Sequence, residues 1–201
     1  MNNYSELFSV PVFQKNIMNE DDLLNRYLIQ KCEYLHIKAM ERKEIYSQWV
    51  GNTFTTHGVR NYPNTKKGFK NLESMVLEET KLFTESTWKT STFHIQQYWF
   101  NISSYGNYQE FHNHPKCDIV GIYYPKLPEN GGNLILRNPS SYNQTDLRAL
   151  FGKRDDLTEQ FHVNAKSGDL LLFPSYIDHM VTENKNPDET RISISFNIDI
   201  N

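Results

Sequence analysis

The sequence predicts an α+β fold, with two helices leading into a β-sandwich or barrel that carries the functional residues. Three observations predict it. Two windows before about residue 90 space their apolar residues at helical intervals. The later runs are short, β-prone and separated by Gly, Pro and Asn. The chain has 201 residues, 38 % hydrophobic and 13 % aromatic, which is enough to close a packed core and too apolar for disorder. One domain over residues 1–201 is expected, with a helical part over 1–90 and a strand-rich core over 91–201.

The elements follow in order. "LFSVPVFQKNI" reads as a short strand broken by Pro11, which cannot donate to a ladder. "NEDDLLNRYLIQKCEYLHIKAMERKEIYSQW" reads as a helix, with Asn19 as N-cap, acidic residues in the first turn, and Leu24, Tyr27, Leu28 and Leu35 as its apolar stripe. "NTFTTHGVRNYPN" is loop or short strand. "FKNLESMVLEETKLFTEST" is a second amphipathic helix, with Leu72, Met75, Val76 and Leu82 on one side.

Five strand-like runs come next: "STFHIQQYWFNISSYG", "IVGIYYPKL", "GGNLILRNP", "FHVNAKSGDLLLFPS" and "RISISFNIDI". "PENGGN" carries strong turn residues and is expected to join two strands as a hairpin. "SSYNQTDLRALFGKRDDLTEQ" lacks strand character and is expected to be a long insertion at the barrel mouth, covering the site. The cluster Tyr98, Trp99, Phe100 reads as barrel core.

Composition excludes several functions. Lys and Arg number 21 against 24 Asp and Glu, a net charge of −3, so the chain has no basic footprint for nucleic acid. No polybasic block points to anionic lipid, and no apolar run approaches the roughly 20 residues of a spanning helix. "MNNYSELFSV" lacks the basic start and apolar core of a signal peptide. Cys32 and Cys117 form neither a disulfide framework nor a CxxC pair. These features together predict a cytoplasmic protein.

The stretch "YGNYQEFHNHPK" carries the chemistry. His112 and His114 are two residues apart, and in a strand such residues face the same side. Imidazole binds iron, zinc and copper, but two imidazoles are not a site. The best third ligand among seven histidines is His179, which ends "SGDLLLFPSYIDH" after a buried strand and a bend. Asp118 and Glu110 share the parity of His114 and are the carboxylate alternatives to it. Downstream, Arg191, Ser193 and Ser195 alternate with Ile192, Ile194 and Phe196. A buried arginine is expensive unless an anion meets it, and a carboxylate held by both arms of the guanidinium is the natural partner.

In this order and spacing the residues resemble the 2-oxoglutarate- and Fe(II)-dependent oxygenases. Within them the chain is similar to the prolyl 4-hydroxylase-like branch, and more narrowly to a 2OG-Fe(II) oxygenase group common in viral and bacterial genomes. The matching stretches are "YGNYQEFHNHP", "GIYYPKLPENGGNLILRNP" and "GDLLLFPSYIDHMVTENKNPDETRISISFN", over most of residues 95–200, with "SELFSVPVF" near the start. The resemblance implies a double-stranded β-helix (jelly roll, cupin-like) with supporting N-terminal helices and iron at its open end. It implies His112 and His179 as the two histidine ligands, and Arg191 with Tyr124 on the far carboxylate of 2-oxoglutarate. Ser193 supports Arg191, and Asn101 lies near the other end of the cosubstrate.

The sequence departs from the usual His-x-Asp motif at position 114, where it has His; the narrower group also shows His-x-His. Three neutral imidazoles leave a ferrous ion at a charge of about +2, which an oxoacid dianion neutralises. Fe(II) and 2-oxoglutarate are the implied cofactors, with ascorbate as a supporting reductant. O2 and a peptide side chain (prolyl-type) or a small molecule are the implied substrates; a homodimer through the N-terminal helices is allowed, but no residue argues for it. Two other readings of the residues stand beside this one. One is a three-histidine cupin-like metallo-dioxygenase that uses no oxoacid. The other is a jelly-roll binding module without catalysis.

Overall fold

The computed structural model describes residues 9–18, 23–42, 49–58, 69–90, 92–139 and 159–201. Among them the elements run β1 (Phe13–Asn16), α1 (Leu23–Glu41), β2 (Phe54–Thr55), α2 (Lys70–Thr87), β3 (Phe93–Ser103), β4 (Gln109–His112) and β5 (Ile119–Lys126). They continue with β6 (Leu134–Arg137), β7 (Gln160–His162), β8 (Asp169–Pro174), β9 (His179–Val181) and β10 (Arg191–Ile200). The strands form two antiparallel sheets: β1-β8-β5-β10-β3-β2 and β4-β9-β6-β7. Two helices packed on a two-sheet β core are the expected α+β architecture, and the interleaved sheets are those of a double-stranded β-helix.

Alternation along β10 explains the layering. Ile192, Ile194, Phe196 and Ile198 point to one face of the larger sheet, where they join Leu28, Cys32, Leu35 and Ala39 of α1 and Leu72, Val76 and Phe83 of α2. The α1 positions recur at spacings of four, three and four, a helical stripe. The other face meets the smaller sheet. There Val120, Ile122, Leu171 and Phe173 pack against Leu134, Leu136 and Val181. Arg191, Ser193, Ser195 and Asn197 lie on that inner face too, all buried. Asn25 pins α1 to the sheet: its amide donates to Pro125 O at 2.6 Å and accepts from Tyr123 Oη at 2.8 Å.

Several expectations shift. In α1 Tyr27 is exposed, and the buried stripe runs instead through Leu28, Cys32, Leu35 and Ala39. Asn19 and the acidic residues after it lie outside the described residues, and Trp49 is not helical. In α2 Leu82 is exposed, while Thr80 and Thr84 are buried. Their hydroxyls bond back to helix carbonyls, Thr80 to Val76 O at 2.7 Å, so burying them leaves no polar group unpaired.

"PENGGN" does turn the chain, with Gly131 N donating to Pro128 O at 3.0 Å and Gly132 at φ +87°. It does not close a hairpin, because β5 and β6 belong to different sheets. A Cβ at Gly132 would meet Thr182 O at 2.4 Å, so the corner needs glycine for both backbone angle and space. Turn residues encode the reversal but not whether the flanking strands pair. Residues 140–158, most of the expected insertion, lie outside the described residues. No helix among the described residues is long and apolar enough to cross a membrane.

Candidate metal centre

The three histidines meet because of strand register. β4 pairs with β9 so that His112 stands opposite His179. Cross-strand neighbours sit about 4.5–5.5 Å apart at Cβ, and these two rings have centroids 4.2 Å apart. His114 lies past the end of β4, where its N–H donates to Ser175 O at 3.0 Å. Its ring is 5.5 Å from that of His112 and 5.2 Å from that of His179. One ligand atom from each of the three lies within 4.8 Å of the others. The pair predicted from strand parity thus converges, although the strand ends at the first of the two.

Each imidazole is tied at Nδ1. His112 Nδ1 meets Glu110 O at 2.8 Å, His179 Nδ1 meets Ile177 O at 2.9 Å, and His114 Nδ1 meets Asn197 Oδ1 at 2.6 Å. A carbonyl only accepts, so it holds the proton on Nδ1 and leaves the lone pair on Nε2, the form that binds a metal. Burial pushes all three histidines below their ordinary value, His114 to about 4 and His179 well below normal. Metal binding needs neutral imidazole, so the donor set fits a divalent ion of the iron–zinc series.

The carboxylate alternatives are not in this group. β4 carries a bulge between Gln109 and His112, which resets the alternation. Gln109 and His112 line the cleft together, whereas Glu110 accepts from Gly51 N at 3.2 Å. Asp118 follows the turn at Pro115 and accepts from Ile200 N at 2.8 Å, at the far end of β10.

A cleft of about 510 Å³ opens between the sheets and contains the three histidines and the inner row of β10. Arg191 is 2 % exposed. Its guanidinium lies 5.1 Å from the Tyr124 ring centre, and among the described residues neither Arg191 Nε nor Tyr124 Oη meets hydrogen-bond geometry with a partner. Burial pushes the Tyr124 hydroxyl above its ordinary value, and the guanidinium acts against that shift. Among the described residues no carboxylate pairs with Arg191. Asn101 stands opposite Ser193 in the ladder and donates to Ser193 Oγ at 3.4 Å and Ser195 Oγ at 3.3 Å, with Oδ1 unpartnered. Arg191, Ser193 and Asn101 therefore share one wall of the cleft, and Tyr124 backs it.

Several cleft residues escaped the sequence reading, four of them packed around the histidines. Trp99 lines the cleft, with its ring 5.6 Å from that of His114, while its neighbours Tyr98 and Phe100 pack on the outer face. Alternation alone separates them: Trp99 shares the parity of Asn101. Asn197 likewise extends the Arg191, Ser193, Ser195 row by one step. Trp49 (4.6 Å from His112) and His57 (4.6 Å from Trp99) come from the N-terminal region by tertiary packing, for which no local signal exists.

The comparisons agree with this geometry. In structure the chain is similar to a prolyl-4-hydroxylase from Pseudomonas putida, at 13 % identity and TM-score 0.60, covering 94 % of this chain and 92 % of that one. It is similar to the non-heme α-ketoglutarate-dependent carbocyclase SnoK from nogalamycin biosynthesis, at 10 % identity and TM-score 0.61, covering 93 % and 78 %. It is also similar to a prolyl hydroxylase from Trichoplax adhaerens solved with a hypoxia inducible factor peptide fragment, at 14 % identity and TM-score 0.59, covering 95 % and 83 %. At these identities the likeness concerns the fold. No curated protein matches the chain in sequence. Residues 97–197, half the chain and the stretch that holds all three histidines and Arg191, match the family model for 2OG-Fe(II) oxygenase. The chain therefore belongs to the 2OG-Fe(II) oxygenase family and is a 2-oxoglutarate-dependent oxidoreductase built on a double-stranded β-helix.

Proposed function

We propose that the cleft between the sheets is the active site of a hydroxylase in which His112, His114 and His179 hold Fe(II) through Nε2 and Arg191 holds the far carboxylate of 2-oxoglutarate. The observation that carries this reading is the buried Arg191 guanidinium, which no described carboxylate neutralises, on the wall shared with Asn101 and Ser193. Taking a guanidinium out of water is unfavourable by several kcal/mol unless an anion with good geometry meets it. A carboxylate taken by two parallel N–H···O bonds meets that requirement. Tyr124 Oη has a free donor for the same carboxylate, and Ser193 lines the approach.

Held by His112, His114 and His179, iron would supply, with 2-oxoglutarate and O2, the oxidising power for hydroxylation, the oxoacid leaving as succinate and carbon dioxide with one oxygen atom of O2 and the substrate C–H bond taking up the other. The protein's own residues prepare for it. Burial keeps the three imidazoles neutral, and their Nδ1 tethers fix the ring orientations. The Trp49 and Trp99 rings lie against His112 and His114 and limit water on two sides. Arg191 orients the cosubstrate by its far end.

The substrate in this reading is a peptide side chain, prolyl-type. Gln97 and Lys116 line the cleft, and both carry side-chain donors of the kind that bind main-chain carbonyls. The test is release of labelled carbon dioxide from 1-¹⁴C-2-oxoglutarate by iron-loaded protein, with and without proline-containing peptides. Iron-dependent release accelerated by peptide supports the reading. Acceleration only by small molecules moves the substrate class. No iron-dependent release under any condition overturns the oxoacid assignment in favour of a three-histidine dioxygenase without it.

A further inference from the structure

We infer that Asn197 is the positioning residue that makes His114 a metal ligand, by accepting the His114 Nδ1 proton and so presenting Nε2 to the ion. This rests on the metal-centre reading above and adds a specific device to it. His112 and His179 need no such partner. Each bonds to the main-chain carbonyl two residues before it, Glu110 O and Ile177 O, and a main-chain carbonyl can only accept.

His114 has no tether of that kind. It lies beyond β4, and its Nδ1 reaches a side chain on the opposite sheet, Asn197 Oδ1 at 2.6 Å. Asn197 is the last member of the inner polar row of β10, opposite Gln97 and Val120 in the two ladders. The β10–β3 ladder shifts register between Asn197 and Ile198, an irregularity of the kind that re-aims a side chain.

The chemistry at position 114 creates the need. A carboxylate there would bring no N–H into the cleft. An imidazole brings one, and a buried donor without an acceptor is unfavourable. The side-chain amide is also ambivalent in a way the main chain is not. With Oδ1 toward the ring, the proton stays on Nδ1 and Nε2 is free. With Nδ2 toward the ring, the proton moves to Nε2 and the ligand is lost. Aspartate at 197 could only accept, and its charge would strengthen the imidazole as a donor. Leucine would remove the acceptor while keeping the same number of side-chain heavy atoms and the same branching.

The test is a Co(II) titration of the apoprotein followed by its visible ligand-field bands, paired with ¹⁵N NMR of the histidine rings without metal. Wild type and Asn197→Asp are expected to bind cobalt with similar or tighter affinity in the variant, with His114 protonated on Nδ1. Asn197→Leu is expected to bind about 10–100-fold more weakly, with His114 shifted toward the Nε2–H form while His112 and His179 keep theirs. Cobalt binding by Asn197→Leu within twofold of wild type, or Asn197→Asp tenfold weaker than wild type, overturns the role of Asn197 alone. Wild-type protein that binds no cobalt, or a His114→Ala variant that binds as well as wild type, overturns the metal-centre reading beneath it.

Discussion

The two faces of β10 are both buried, yet they are buried in different ways. On the outer face Ile192, Ile194, Phe196 and Ile198 meet the helices, and the unpartnered polar atoms on that side, Tyr98 Oη and Glu79 Oε2, belong to β3 and α2 rather than to β10. On the inner face, among the described residues, Arg191 Nε and its neighbours Tyr124 Oη and Asn101 Oδ1 lack partners. Native proteins satisfy nearly all buried polar groups, and the three on the inner side gather around one buried guanidinium, as the wall of a ligand site would. In the proposed reading the outer face serves stability and the inner face serves chemistry, so changes on the two faces should separate those properties.

The largest expected effect is on the inner side. His179→Ala removes a ligand at the centre of the three-ring cluster and should reduce iron-dependent decarboxylation to background, while circular dichroism and the melting temperature of the apoprotein stay near wild type. Phe196→Ala, on the outer face and 5.8 Å ring to ring from Tyr98, should do the reverse. It should cost about 3–5 kcal/mol of unfolding free energy in a urea titration, with the Michaelis constant for 2-oxoglutarate unchanged in the folded fraction.

Arg191→Leu sharpens the contrast within the inner face. It should weaken 2-oxoglutarate binding by about 2–5 kcal/mol, measured by calorimetry on metal-loaded protein. Because no carboxylate among the described residues pairs with the guanidinium, the same change should leave the apoprotein as stable or more stable. A fall in apoprotein stability would show that Arg191 is structural.

The smallest effect is the pH dependence of the apoprotein. The three histidines have folded values below the ordinary one of about 6.5, so the unfolded chain binds protons that the folded chain does not. Stability from these groups is full above about 6.5 and falls as pH drops toward the His114 value of about 4. The urea midpoint of the apoprotein should therefore fall between pH 7.5 and 5.5, and fall less in His114→Gln.

Much of this division was legible before the structure. The alternation in "RISISFN" announced a polar and an apolar face, and the pair His112 and His114 with His179 announced the three-histidine group. What escaped was set by departures from regular geometry and by contacts distant in sequence. The bulge in β4 turned Glu110 away from the cleft, which parity could not foresee. The Pro128–Gly132 corner reversed the chain but changed sheets. Simple alternation would have moved Trp99 from core to cleft and added Asn197 to the polar row, had it been carried two residues further. Trp49 and His57 carry no local signal, because only the packing of the N-terminal region onto the core brings them to the cleft.

The most direct test of the inner face as a cosubstrate site is anaerobic titration of the apoprotein with Fe(II) and 2-oxoglutarate, followed by the weak visible charge-transfer band of chelated oxoacid. The band should form in wild type and be lost at the same 2-oxoglutarate concentration in Arg191→Leu. Iron that binds without ever producing the band would contradict the account and leave the three histidines to a chemistry that uses no oxoacid.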